Sequence, residues 1–131
     1  MFELEISLFL QVAERVLDID ADRLKNVTKI GSAESALAAP FASFDGHDFY
    51  NDPVQRAAIL ASRIMRNHPL PDGNKRVALI LMDYYLEDQG LRCTASDGEI
   101  DRVFRAVAAS ETTEDYFVVW LGSRTERIAQ D

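Results

Sequence analysis

The sequence predicts an all-α fold, a compact helical domain with one central helix and a small hairpin flap, and three observations carry that expectation. Apolar residues recur at intervals of three and four along most of the chain, the period of helices that bury one face. The stretches so patterned begin near Ser, Thr, Asp or Asn and end near Gly or Pro, residues that cap and stop helices. One segment differs: residues 41–50, FASFDGHDFY, are aromatic-rich around Asp45-Gly46, a dipeptide that tolerates the positive φ angles of a tight hairpin turn.

The first helix is expected over Ile6 to Leu17, where Ile6, Phe9, Leu10, Ala13, Val16 and Leu17 form one apolar stripe. Asp18 to Gly31 mixes charge with short apolar pieces and has room for a turn of helix. Residues 32–39, SAESALAA, have the cap and composition of a short helix stopped by Pro40. After the flap, Asp52-Pro53 starts a helix with an aspartate cap and a proline in the first turn, and the period continues to Asn67, so His68 falls at the helix end. Pro69 and Pro71 break that helix, and Asp72-Gly73 turns the chain. Asn74 is the expected N-cap of the next helix, through Val77, Leu79 to Leu81 and Tyr84-Tyr85 up to Gly90. That helix is apolar on more than one face, which makes it the expected centre of the core. Leu91 to Ala95 reads as extended, Ser96 or Asp97 as the cap of a helix through Val107, and Thr112 or Thr113 as the cap of a last helix through Trp120. The tail from Arg124 is expected to be frayed. Some of Phe41, Phe44, Phe49 and Tyr50 are expected to tuck into the core.

With 131 residues, 47% of them hydrophobic, the chain suits a single domain over residues 1–131 with a core of its own. No internal repeat, low-complexity tract or linker divides it. A formal net charge of −8 repels polyphosphate backbones and anionic lipid, so direct nucleic-acid or membrane binding is not expected, and a small molecule or a protein is the expected partner. Cys93 is the only cysteine, which excludes an internal disulfide and a multi-thiolate zinc site. The opening segment carries Glu3 and Glu5 where a secretory signal needs positive charge, and its apolar run is too short to span a bilayer; a cytoplasmic location is expected. His47 and His68 are too few for a three-histidine metal site, and the acids lack EF-hand spacing. Any metal is therefore expected to be Mg²⁺ that arrives with a nucleotide.

Chemistry concentrates in residues 68–76, HPLPDGNKR, at a helix–loop–helix junction. The first N–H groups of a helix lack intrahelical acceptors and, with the helix dipole, attract anions. Gly73, Asn74, Lys75 and Arg76 stand at such a start, Arg76 offering a planar fork to phosphate oxygens and Lys75 a point charge. Arg63, Arg66, Lys75 and Arg76 oppose the one acid Asp72, a locally basic run in an acidic chain. Asp72 is a candidate Mg²⁺ ligand and His68 a candidate base for a hydroxyl proton. Singly these are ordinary features: a turn, a cap, solvated cations. Together, two cations placed against a helix dipole at about 0.3–1 kcal/mol each imply an anion that offsets them. The parts suit transfer of a phosphoryl or nucleotidyl group.

The run resembles the signature of the Fic/Doc family, H-x-F-x-[D/E]-G-N-[G/K]-R, with His68, Asp72, Gly73, Asn74 and Arg76 matching and Leu70 in place of Phe. The likeness extends from about Ser32 to Leu121, through GSAESALAAP, the flap, and the motif with its following helix. It implies a Fic/Doc-type helical fold, with His68 as general base, Asp72 on Mg²⁺, and Gly73, Asn74, Lys75 and Arg76 around the phosphates of ATP. Lys75, and Leu79 in place of a second arginine, point to the Doc (death-on-curing) branch. The resemblance then implies a toxin kinase that moves the γ-phosphoryl of ATP to a hydroxyl of elongation factor Tu and arrests translation. The alternatives are a Fic-type adenylyltransferase of protein hydroxyls and a catalytically silent binding module. The flap, with Asp45, Gly46 and His47 at its tip, is implied to offer a strand edge to the target. His47 itself reads as solvated. Leu70 keeps an apolar role with less contact area than Phe, and Ala39 stands where Doc-like toxins often have a basic residue. The self-restraining motif [S/T]-x-x-x-E-[G/N] has only Ser110-x-x-x-Glu114-Asp115 as a near match, which reads instead as the loop and cap of the last helix. Restraint is therefore implied to come from a separate Phd-like antitoxin.

Overall fold

In a computed structural model, which describes residues 3–129, the chain is all-α with two small antiparallel ribbons. The helices are α1 (Ile6–Leu17), α2 (Ala21–Val27), α3 (Ile30–Ala38), α4 (Pro53–Asn67), α5 (Asn74–Asp88), α6 (Asp97–Ala108) and α7 (Glu114–Ser123). A 3₁₀ turn over Ala39–Phe41 carries Pro40. Strands β1 (Ser43–Phe44) and β2 (His47–Asp48) pair Ser43 with Asp48 and Phe44 with His47, and β3 (Leu91–Cys93) pairs with β4 (Thr125–Arg127).

Most of these elements start as their residues dictate. The side chains of Asp52, Ser96 and Thr113 accept from the backbone N–H of Gln55, Glu99 and Tyr116, capping α4, α6 and α7. Asp45 and Gly46 both have positive φ, 52° and 78°, and turn β1 into β2. Helix α3 begins two residues before Ser32, and its N-cap Lys29 makes no side-chain capping bond. Its backbone N–H instead donates to Pro69 C=O at 2.8 Å, a tertiary contact outside the reach of local rules.

The core draws on all seven helices, and α4 is its hub. Helix α4 packs against α3, α5, α6, α7 and the 3₁₀ turn, while α5 packs against α1, α4, α6 and β3. Residues 57–62 of α4 are buried without a break, because Ala57, Ala58, Ala61 and Ser62 are small enough for neighbours to approach on every side. Alanine and serine carry little hydrophobic signal, which is why α5 reads as the more central helix in the sequence.

Two expectations about the tail and the flap fail. The tail from Arg124 is ordered: Arg124 C=O accepts from Thr94 N–H at 2.7 Å, its guanidinium bonds Glu99 at 2.6 and 3.0 Å, and β4 follows. Three of the four flap aromatics stay out of the core, Phe41, Phe44 and Phe49 being 44%, 74% and 57% exposed, with only Tyr50 half-buried. A two-residue strand pair is too short to fold back over the helices, and Phe41 lies at its edge, against Tyr85 and under the Arg56 guanidinium. Among the described residues no helix is long and apolar enough to cross a membrane.

Candidate active site

The motif loop is held at both ends and across its middle. His68 ends α4 in the left-handed region (φ 50°), its N–H donating to Ile64 C=O at 3.2 Å. Gly73 precedes α5, also left-handed at φ 79°. Between them Leu70 is 1% exposed and serves as the loop's apolar anchor, the role expected of it.

Asn74 is not the N-cap; it is the first residue of α5, and its side chain faces back into the loop. Its Oδ1 accepts from Leu70 N–H at 3.0 Å and its Nδ2 donates to Leu70 C=O at 2.9 Å. Those two bonds fix the amide's orientation, so the remaining Nδ2 hydrogen points at His68 Nδ1, 3.2 Å away. A ring nitrogen that accepts this bond carries no hydrogen, so the contact matches the tautomer that bears its hydrogen on Nε2. One buried amide thus ties together the loop's anchor and its histidine.

With Asn74 turned inward, α5 has no side-chain cap, and its first N–H groups are free to meet an anion. Asp72 turns one oxygen to Gly73 N–H at 2.8 Å and stays exposed. Among the described residues neither Lys75 nor Arg76 has a carboxylate within ion-pair distance. His68, Asp72, Gly73, Asn74, Lys75 and Arg76 all line one cleft of about 640 Å³, completed by Met65, Pro71, Arg105 and Ala108 of α6, and Ala109 and Glu111 just after it. Asp45, Gly46 and His47 are exposed at the flap tip and are not part of its lining.

Arg63 and Arg66 do not belong to this cleft. Arg63 bonds Glu114 at 2.8 and 3.2 Å, and Arg66 lies 4.0 Å from the same carboxylate and donates to Thr112 C=O at 3.0 Å. Ser62 Oγ adds a third bond to Glu114 at 2.7 Å. Burial pushes the Glu114 carboxyl up, but the bonds from Arg63 and Ser62 outweigh it and hold the group below its usual range. The glutamate of the near-match to the self-restraining motif thus braces α7 against α4, with Thr113 as the helix cap.

Sequence reasoning missed Arg105, Glu111 and the role of Glu114. Nothing local marks them, since only the packing of α6 and α7 beside α4 brings them near the motif.

A second cleft, of about 700 Å³, opens between α1 and α5 around Leu8, Val12, Ile80 and Tyr84. It is slightly larger but contains none of the motif side chains, so the chemistry is assigned to the smaller one.

The donors suit a nucleotide with its magnesium. Among the described residues no group of three or more His, Cys, Asp or Glu is arranged around a metal position, and Asp72 alone is too little for a protein cage. One carboxylate plus phosphate oxygens and water is the environment Mg²⁺ accepts.

The helical fold and a loop of this form define a member of a known class: the Fic/DOC family matches residues 4–86, more than half of the chain, and the protein belongs to that family. Toxin Doc of Mycolicibacterium smegmatis is 37% identical over 76 residues, which cover 58% of this chain and 58% of that relative. No solved structure matches.

Proposed function

We propose that this protein is a Doc-like toxin kinase that transfers the γ-phosphoryl of ATP to a hydroxyl of a target protein, elongation factor Tu, and so arrests translation in the cytoplasm. The observation that carries the reading is the Asn74 amide: it holds the His68 ring at the edge of a cleft that also gathers Asp72, Lys75 and Arg76. The similarity to Toxin Doc and the Lys75 and Leu79 of the motif helix favour γ over α transfer.

ATP supplies the phosphoryl group, and Mg²⁺ held by Asp72 screens its charge. Lys75, Arg76 and the open N–H groups of α5 bind and orient the phosphates, so that positioning and charge stabilisation do most of the work. His68 takes the proton of the attacking hydroxyl. The flap around Asp45, Gly46 and His47 aligns the target segment by main-chain pairing. A Phd-like antitoxin restrains the protein in trans, consistent with Glu114 being committed to Ser62, Arg63 and Arg66.

The test is incubation with Mg²⁺ and purified bacterial elongation factor Tu, in parallel with γ-labelled and α-labelled ATP, followed by intact mass. Gain of one phosphate with γ label only, absent in His68→Ala, is the expected result. Gain of AMP with α label would make the protein an adenylyltransferase. No gain with either would remove elongation factor Tu as target and leave a silent binding module as the simpler description.

A further inference from the structure

We propose that Arg105 of α6 is a further phosphate-binding residue of the motif cleft; this rests on the reading of that cleft as an ATP site. The cleft has two sources of side chains. The loop and the start of α5 give His68, Asp72, Lys75 and Arg76, while the last turn of α6 gives Arg105 and the segment after it Glu111. Without Arg105 the lining is electrically balanced, because Lys75 and Arg76 are matched by Asp72 and Glu111. Arg105 makes it net positive, as a polyanion requires.

The other arginines near the motif cannot take this part. Arg63 and Arg66 are committed to Glu114 and to Thr112 C=O. Arg105 is available: among the described residues its only ion-pair partner is Asp101, one turn earlier on the same helix at 2.9 Å, with the two side chains 67% and 56% exposed. Exposed pairs of this kind are weak and readily exchanged for a stronger acceptor. A guanidinium also offers two parallel donors that match phosphate oxygens, which Asp101 does not use to the full, since only Nε bonds it. Ala108 and Ala109, on the same side of the cleft, carry nothing beyond Cβ that would obstruct the approach.

The experiment is calorimetric titration of MgATP into the full chain and into Arg105→Gln, Arg105→Lys, Asp101→Asn and Lys75→Ala. Loss of one charge-assisted contact corresponds to a Kd weaker by about tenfold or more in Arg105→Gln, with part of it restored in Arg105→Lys. Asp101→Asn breaks the same helix pair but keeps the guanidinium, and its Kd should stay at the wild-type value or improve. Wild-type affinity in Arg105→Gln, alongside weakened binding in Lys75→Ala, would overturn the role of Arg105 and leave the cleft reading in place. Equal weakening in Asp101→Asn and Arg105→Gln would also overturn it, by assigning the effect to the helix pair. Absence of MgATP binding to the wild type would remove the cleft reading and this inference together.

Discussion

Asn74 and Leu70 are joined through both backbone groups of the leucine, at 3.0 Å to its N–H and 2.9 Å from its C=O, in a position where Asn74 is 6% exposed and the leucine side chain 1%. The pairing replaces the solvent that a loop backbone would otherwise use. In Asn74→Ala a buried donor and acceptor lose their partners, each at about 1–3 kcal/mol. Unfolding in urea should show a loss of about 2–4 kcal/mol, with γ transfer lowered further because His68 Nδ1 is released. A loss well under 1 kcal/mol would mean that other contacts hold the loop.

Gly73 answers a different demand. At φ 79° a side chain is strained by about 1–2 kcal/mol, and an added Cβ would lie 3.0 Å from Leu17 Cδ2 and 3.1 Å from Val16 Cγ1. The end of α1 therefore rests directly on the motif. Gly73→Ala should lose about 1–3 kcal/mol in thermal or urea unfolding and weaken MgATP binding, as the loop shifts off α1. Unchanged stability with unchanged binding would show that the loop tolerates the displacement.

These two residues also show what the sequence discloses and what it withholds. Helices α1, α4, α6 and α7, the caps Asp52, Ser96 and Thr113, and the Asp45-Gly46 turn were legible because each depends on residues within a few positions. Gly73 was legible as a turn, but its contact with Val16 and Leu17 joins residues more than fifty apart. Asn74 was read as a cap from its type and position; the tertiary pairing with Leu70 and His68 overrode that local preference. Lys75, Arg76 and Asp72 reach the cleft as their spacing suggested, whereas Arg63 and Arg66, close in sequence to the motif, turn to Glu114. β4 was missed because three residues are too few to show a period, and only β3 gives them a partner.

Lys75 separates binding from folding. It stands in the first turn of α5, where a cation opposes the helix dipole by about 0.3–1 kcal/mol, while glycine inside a helix costs about 1 kcal/mol. Lys75→Gly should therefore keep its unfolding free energy within about 1 kcal/mol of wild type yet lose γ transfer. Unchanged γ transfer would count against the role of Lys75 in orienting the nucleotide.

Glu114 makes the brace between α7 and α4 sensitive to acid. Its carboxyl lies below the ordinary value of 4.5 in the folded protein, so its contribution is complete above about pH 4.5 and fades as pH falls through the lower folded value. Glu114→Gln loses the charge-assisted bonds to Arg63 and, since that guanidinium is partly exposed, should cost about 1–2 kcal/mol at pH 7. The difference from wild type should shrink towards pH 3 in urea unfolding. A difference independent of pH would place the effect in shape and not in charge.

Asp83 works in the opposite sense. On α5 its carboxyl is pushed up from 3.8 to about 6, first by burial and then by Glu87 one turn later. An acid whose folded value is raised binds its proton more readily in the folded state, so stability falls as pH rises from about 4 to about 6, and the penalty is complete above that. A move of this size corresponds to about 3 kcal/mol; solvent screening at a partly exposed site reduces it to about 1–2 kcal/mol. Asp83→Asn removes the charge and keeps the shape, and should gain about that amount at pH 7.5 but almost nothing at pH 4. Urea unfolding at the two pH values decides the matter, because an equal gain at both would assign the effect to packing or hydrogen bonding of the amide instead of relief of a buried charge.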